Sequence, residues 1–273
     1  MPHLHVNGTP VHYRETGSGA PVALLHGGAS SGAQWHKVIP LLADAYRMIT
    51  VDHYGFGETG PWPGPPEQRS HEEEAVLVRA VLAHLCPGEP AHLVGHSYGG
   101  GVALRLVVET PALAASMVLV DPMAMSVLKE AGEEALHAEM AATARRFIAY
   151  ARAGKAERAW QVFYDASNGE GAWQVVPEET RRRMLAETES GVSGYLANLA
   201  HVTTEAECRA LALPTTLLYG AESEPCFRRM SELIAGAIPG ARLETVAGAG
   251  HMSMVTHPEA VAERLLGHLE GVD

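Results

Sequence analysis

A chain of 273 residues, 47% of them hydrophobic, can bury a full α/β core, which excludes a small disulfide-stapled scaffold. A formal net charge of −12 argues against a nucleic-acid groove or an anionic membrane surface as partner, because phosphates are repelled on approach. The cysteines, Cys86, Cys208 and Cys226, are scattered and odd in number, and Met1 to Gly19 has no basic-then-apolar leader, so the expected home is the reducing cytoplasm.

Leu4 to Val6 and Val11 to Glu15 alternate like strands around Asn7-Gly8, which predicts an edge hairpin. The apolar runs Pro21 to Leu25 and Ala45 to Val51, with a helix expected over Trp35 to Leu42, form a βαβ unit. A helix over His71 to Leu85 leads to a strand at Ala91 to Gly95, a helix at Gly99 to Glu109 and a continuous apolar strand at Ser116 to Asp121. The alternation resumes with a strand at Thr215 to Tyr219, a helix at Phe227 to Ala237, a strand at Arg242 to Val246 and a helix at Pro258 to Leu269. Between them lie helix-forming segments alone: Glu130 to Arg152, Lys155 to Asp165, Pro177 to Glu189 and Gly194 to His201. One crossover helix suffices between parallel strands, so four predict an inserted cap. The expected architecture is α/β, a mostly parallel doubly wound sheet, with core residues 1–121 and 214–273 and a helical cap at 122–213. No run reaches the ~20 apolar residues of a membrane span. The histidines do not fall at metal-site spacing, so neither metal nor cofactor is expected, and the expected partner is a small-molecule substrate.

The strongest chemical signal is Gly95-His96-Ser97-Tyr98-Gly99-Gly100, between an apolar strand and a helix. A side chain on so sharp a turn is held above the sheet end, and the helix directs amides toward charge developing beside it. A serine hydroxyl is a weak nucleophile at neutral pH, so it needs a base that can later return the proton, and a histidine suits both steps.

Here the chain resembles the α/β-hydrolase superfamily over nearly its whole length. Leu24-Leu25-His26-Gly27-Gly28 resembles that family's oxyanion loop, Asp52-His53-Tyr54-Gly55-Phe56-Gly57 its D-x-x-G-x-G turn, and Gly248-Ala249-Gly250-His251 with Pro258-Glu259 its histidine loop and last helix. The resemblance implies Ser97 as nucleophile, His251 as general base, and the amides of Gly28 and Tyr98 as oxyanion donors, with Ala29 replacing Gly28 if the loop is shifted by one residue. It gives His26 a structural part and sets His96 beside the nucleophile in the pocket.

The acid departs from the commonest family pattern, because the expected aspartate position in Gly220-Ala221-Glu222-Ser223-Glu224 is Ser223. Asp121, at the end of the preceding strand, is favoured as the acid, with Glu224 as alternative and Glu222 beside it. Trp35, His96, Met123, Met125 and Met252 are the candidate pocket residues. The implied activity is hydrolysis of carboxylic esters of small to medium apolar substrates through an acyl-serine, a carboxylesterase-like serine hydrolase. Cleavage of a lactone or a carbon–carbon bond by the same residues is one alternative, and a hydrolase-like small-molecule binding protein is another.

Overall fold

The computed structural model describes residues 3–272. Eight strands, β1 (His3–Val6), β2 (Thr9–Thr16), β3 (Ala20–Leu25), β4 (Tyr46–Val51), β5 (Ala91–His96), β6 (Ala114–Val120), β7 (Thr215–Gly220) and β8 (Arg242–Val246), form one sheet in the order β1-β2-β4-β3-β5-β6-β7-β8. β2 runs antiparallel to both β1 and β4, and every pairing from β4 to β8 is parallel. The mostly parallel sheet expected from the apolar runs is the one the chain forms.

The helices are α1 (Ile39–Leu42), α2 (His71–Leu85) and α3 (Tyr98–Glu109) before β6. Then α4 (Met125–Glu130), α5 (Glu134–Arg152), α6 (Ala156–Asn168), α7 (Glu178–Ala186), α8 (Thr188–Ala200) and α9 (Glu205–Arg209) intervene between β6 and β7. α10 (Pro225–Ala237), α11 (Ser253–Thr256) and α12 (Pro258–Leu269) complete the chain.

The central strands are apolar on both sides, which requires helices on both faces. Ala23, Leu25, Leu93, Met117 and Leu119 join one core with residues of α2, α3 and α10. Their sequence neighbours Val22, Leu24, Val94, Val118 and Val120 join the other with Val261, Leu265 and Leu269 of α12. A third apolar cluster unites Phe147, Trp160, Trp173, Met184 and Val192 with Ala29 and Phe56, so the helices between β6 and β7 are seated on loops at the strand ends. Each such aromatic stabilises this seat by roughly 1.5–3 kcal/mol of burial. No helix among the described residues is long and apolar enough to cross a membrane.

Three boundaries differ from expectation. The helix expected over Trp35 to Leu42 is a 3-10 turn, Gly32–Trp35, followed by the single turn α1, because Pro40 lacks an amide hydrogen and its ring obstructs a helix running through from Trp35. The segment Glu130 to Arg152 is divided between α4 and α5 at Gly132, whose φ of 76° ends the helix. The chain breaks again at Glu187, so α8 begins at Thr188, six residues before the expected Gly194. α9 was not anticipated, although Thr204 and Glu207 form a reciprocal capping box there.

Candidate active site

β5 and α3 are joined by one residue, Ser97, with φ 50° and ψ −117°. A non-glycine residue adopts this region only under constraint. The constraint is visible: the Ser97 amide donates to the Val120 carbonyl at 3.0 Å, and the Ser97 carbonyl accepts from the Gly100, Gly101 and Met123 amides at 2.9, 3.1 and 2.9 Å. The flanking glycines are needed for space. A Cβ on Gly99 would lie 2.6 Å from the His26 carbonyl oxygen, and one on Gly95 2.7 Å from Gly100 Cα.

Ser97 faces a cavity of about 190 Å³ whose wall also includes Gly28, His96, Tyr98, Met123, His251 and Met252. Trp160, Phe163, Tyr164 and Tyr195 line it from α6 and α8, and Arg183 from α7. The structure therefore brings Ser97, His251, Gly28 and Tyr98 to one space. Among the described residues, the amides of Gly28, Ala29 and Tyr98 donate to no acceptor within the protein, which leaves them available to an oxygen in the cavity.

His251 sits in the loop between β8 and α11, buried, with its ring stacked on Phe227 at 3.9 Å. Its Nδ1 lies 3.7 Å from Asp121 Oδ2, beyond hydrogen-bond length. Among the described residues, His251 Nδ1, Asp121 Oδ1 and the Ser97 hydroxyl have no hydrogen-bond partner. With the pair unclosed, burial acts on each member alone: it pushes the His251 imidazole down to about 3. It pushes the Asp121 carboxyl up to about 7, against the pull of the Ser223 hydroxyl.

Asp121 directly follows β6, which ends one residue short of the expected strand; it is fully buried at φ 44°, and Ser223 Oγ donates to its Oδ2 at 2.9 Å. It is the carboxylate within 4.0 Å of His251 among the described residues. Glu222 is exposed, and Glu224 Oε2 is buried without a partner and not within salt-bridge distance of His251. The sequence offered Ser223 only as a gap in a pattern, and its contact with Asp121 is a tertiary fact.

Two candidate pocket residues lie elsewhere. Trp35 is fully buried under the sheet with Val22, Leu24 and Val38, because the 3-10 turn that carries it tucks its indole into that core. Met125, at the start of α4, lines a neighbouring cavity of about 120 Å³ that shares Met123, Tyr195 and Phe227 with the first. His96, Met123 and Met252 line the serine's cavity. Sequence reading missed Phe227 and Arg183, which helices distant in the chain carry to the site, and Gln34, which the 3-10 turn after β3 carries there in place of the expected helix.

Beside the elbow lies a polar network centred on the fully buried Arg69 and Glu74. Arg69 donates through Nε and Nη2 to Glu74 Oε1 at 2.8 and 2.6 Å, and through Nη1 to the Ser193 hydroxyl and the Ser190 carbonyl of α8. The Tyr98 hydroxyl donates to the same Glu74 oxygen at 3.3 Å, and His53 Nδ1 lies 3.2 Å from Oε2. Burial by itself raises the Glu74 carboxyl, but the Arg69 charge and the His53 contact outweigh it and hold the group at about 2. His26 takes the structural part foreseen for it: its Nδ1 donates to the Gly27 carbonyl at 2.7 Å and its Nε2 accepts from the His53 amide at 3.0 Å. These bonds tie the loop before Gly28 to the turn after β4.

A family model described as alpha/beta hydrolase fold matches residues 20–258. The chain belongs to the α/β-hydrolase family. This hydrolase-family chain is 29% identical, over 93% of its length and 97% of the relative's, to a pimeloyl-[acyl-carrier protein] methyl ester esterase of Aeromonas hydrophila. It is 27% identical to a 2-hydroxymuconate semialdehyde hydrolase of a Pseudomonas species, covering 92% of this chain and 87% of the relative. A thermophilic esterase from Thermogutta terrifontis superposes with a TM-score of 0.82 at 23% identity over 100% of this chain and 99% of that one, a likeness of fold.

Proposed function

We propose that this hydrolase-family chain is a serine hydrolase that cleaves carboxylic esters of small to medium apolar substrates through an acyl-serine intermediate. The observation that carries the reading is the convergence of Ser97, His251 and the free amides of Gly28 and Tyr98 on one cavity with an aromatic wall from α6 and α8, with Asp121 behind the imidazole. In this reading His251 takes the Ser97 proton as the hydroxyl oxygen attacks the ester carbonyl. The new bond places negative charge on the former carbonyl oxygen, within reach of the two amides. His251 then returns its proton to the departing alcohol, and a water, deprotonated in turn by His251, releases the acid and restores Ser97. Asp121 steadies the imidazolium formed in both halves. The helices at 122–213 act as the cap, with Trp160, Phe163, Tyr164 and Tyr195 walling the acyl group off from bulk solvent while leaving room for the hydrolytic water.

Steady-state hydrolysis of p-nitrophenyl acetate and butyrate tests this. Wild type is expected to turn over both, Ser97→Ala to lose at least about a thousandfold in kcat, and intact-mass spectrometry to show an acyl adduct confined to Ser97. Slow hydrolysis unaffected by Ser97→Ala would exclude the reading. Turnover of lactones or vinylogous diketones in preference to esters would keep the nucleophile and move the substrate class.

A further inference from the structure

Gln34 stands on the 3-10 turn after β3, His96 immediately precedes Ser97, and His251 approaches from the far end of the chain. All three are buried. The Gly27 amide donates to Gln34 Oε1 at 3.1 Å, Gln34 Nε2 lies 3.1 Å from His96 Nδ1, and His96 Nε2 lies 2.9 Å from the His251 carbonyl oxygen. The polarity of this chain follows from its ends. A main-chain amide can only donate, so the Gln34 oxygen faces Gly27 and its NH2 faces His96. His96 Nδ1 must then accept. The remaining proton lies on Nε2, where it meets a carbonyl that can only accept. The three bonds are mutually consistent in one tautomer of a neutral ring. Gly27 makes room for that ring, since a Cβ there would lie 2.7 Å from His96 Nδ1.

We propose that Gln34 and His96 are positioning residues: through a neutral hydrogen-bond chain of fixed direction they hold the His251 loop in register with the loop that carries Gly28. The inference rests on the roles given above to Ser97, His251 and Gly28. Its physical basis is that the two loops belong to elements more than 200 residues apart in sequence, Gly27 and His251, and the link between them passes through the residue beside the nucleophile. The titratable groups acting on His96 are His251, whose ring centroid is 4.6 Å away, and Asp121. Burial, with His251 adding to it, pushes the His96 imidazole down to about 3, so the chain keeps its direction across the working pH range. A protonated His96 could no longer accept from Gln34 and would place a cation beside the imidazolium that His251 becomes during turnover.

Long-range 1H–15N correlation spectra of histidine-labelled full-length protein test the direction without reference to activity. His96 is expected as the Nε2–H tautomer, unchanged between pH 7 and 5, and assigned by its absence in His96→Gln. In Gln34→Glu the carboxylate still accepts from Gly27 but offers no donor to Nδ1, so the His96 signal should shift to that of an imidazolium at pH 7. Kinetically, Gln34→Leu and Gln34→Glu should lower kcat about tenfold or more with KM within about twofold. His96→Gln, whose carboxamide can accept and donate in the same sense, should recover at least about tenfold of what His96→Leu loses. An Nδ1–H tautomer in wild type, or kcat within twofold in Gln34→Leu, overturns the inference. An Nε2–H tautomer in a protein that hydrolyses no ester supports the chain and removes the ester reading instead.

Discussion

Ser223 donates its hydroxyl to Asp121 Oδ2 at 2.9 Å across 102 residues of chain. Ser223 occupies the position where the commonest family pattern has its acid, and the carboxylate it holds is the one nearest His251. A buried carboxylate must be paired or hydrogen-bonded, and the Ser223 hydroxyl is the largest of the influences that favour its charge, ahead of His96 and the Gly220 main chain. Replacing Ser223 by alanine removes the contact that draws the Asp121 carboxyl down, so the group should rise further above about 7. At pH 7 kcat/KM should fall about tenfold, with the loss shrinking at higher pH as Asp121 ionises. A pH–rate profile of Ser223→Ala checks this, and an unshifted profile would contradict it.

Asp121→Asn and Glu224→Gln distinguish the two candidate acids. Loss of the carboxylate behind His251 should cost about 10³- to 10⁴-fold in kcat with the circular dichroism spectrum unchanged. Glu224→Gln should stay within about threefold, because no contact joins Glu224 to the His251 ring. Near-normal turnover in Asp121→Asn would reassign the acid.

Acid should destabilise the fold well above the usual carboxylate range. Burial pushes His26, His96, His201 and His251 down to about 3 and His268 to about 4, and holds His71 well below 6.5. The unfolded chain binds protons at these rings near pH 6.5 and the folded chain does not, so stability is lost as pH falls from about 6.5. Asp121 and Glu187, raised to about 7 by burial, act oppositely: the folded chain keeps protons that the unfolded chain releases near pH 4, favouring the fold at lower pH. Burial raises Glu224 in the same sense, and six rings outweigh three carboxyls. Tm should drop by at least about 5 °C between pH 7 and 5.5 by scanning calorimetry, and a flat Tm would contradict this balance.

Arg69 and Glu74, both fully buried, should be costly to separate. Arg69→Met leaves the Glu74 charge without its main counterion and should destabilise by about 3–5 kcal/mol. Adding Glu74→Gln should restore part of that loss, a coupling that urea denaturation of the double-mutant cycle measures. Equal and additive losses would mean that the pair contributes nothing as a pair.

The sheet was legible because its strands are short apolar runs bounded by Gly, Pro and Asp, a pattern written locally along the chain. The turn at Ser97 was legible for the same reason: Gly95 and Gly99 are demanded by contacts within a few residues and by the loop at His26. The helices between β6 and β7 were visible as a group but not in all their breaks: Gly132 is a helix-ending residue within a run of strong helix formers, whereas Glu187 ends a helix that propensity alone would continue. Trp35 was misplaced because an indole beside a loop is equally suited to a pocket and a core, and only packing under β3 chose the core.

Local order along the chain, then, determined the strand succession, the sharp turn bearing the hydroxyl and the identity of the loops at the sheet's C-terminal edge. Folding alone decided which carboxylate stands behind His251, which aromatics from α6 and α8 close the cavity, and that Gln34 reaches His96. Those pairings join residues far apart in sequence, and their geometry is set by how whole helices and strands pack, which no neighbouring residue encodes.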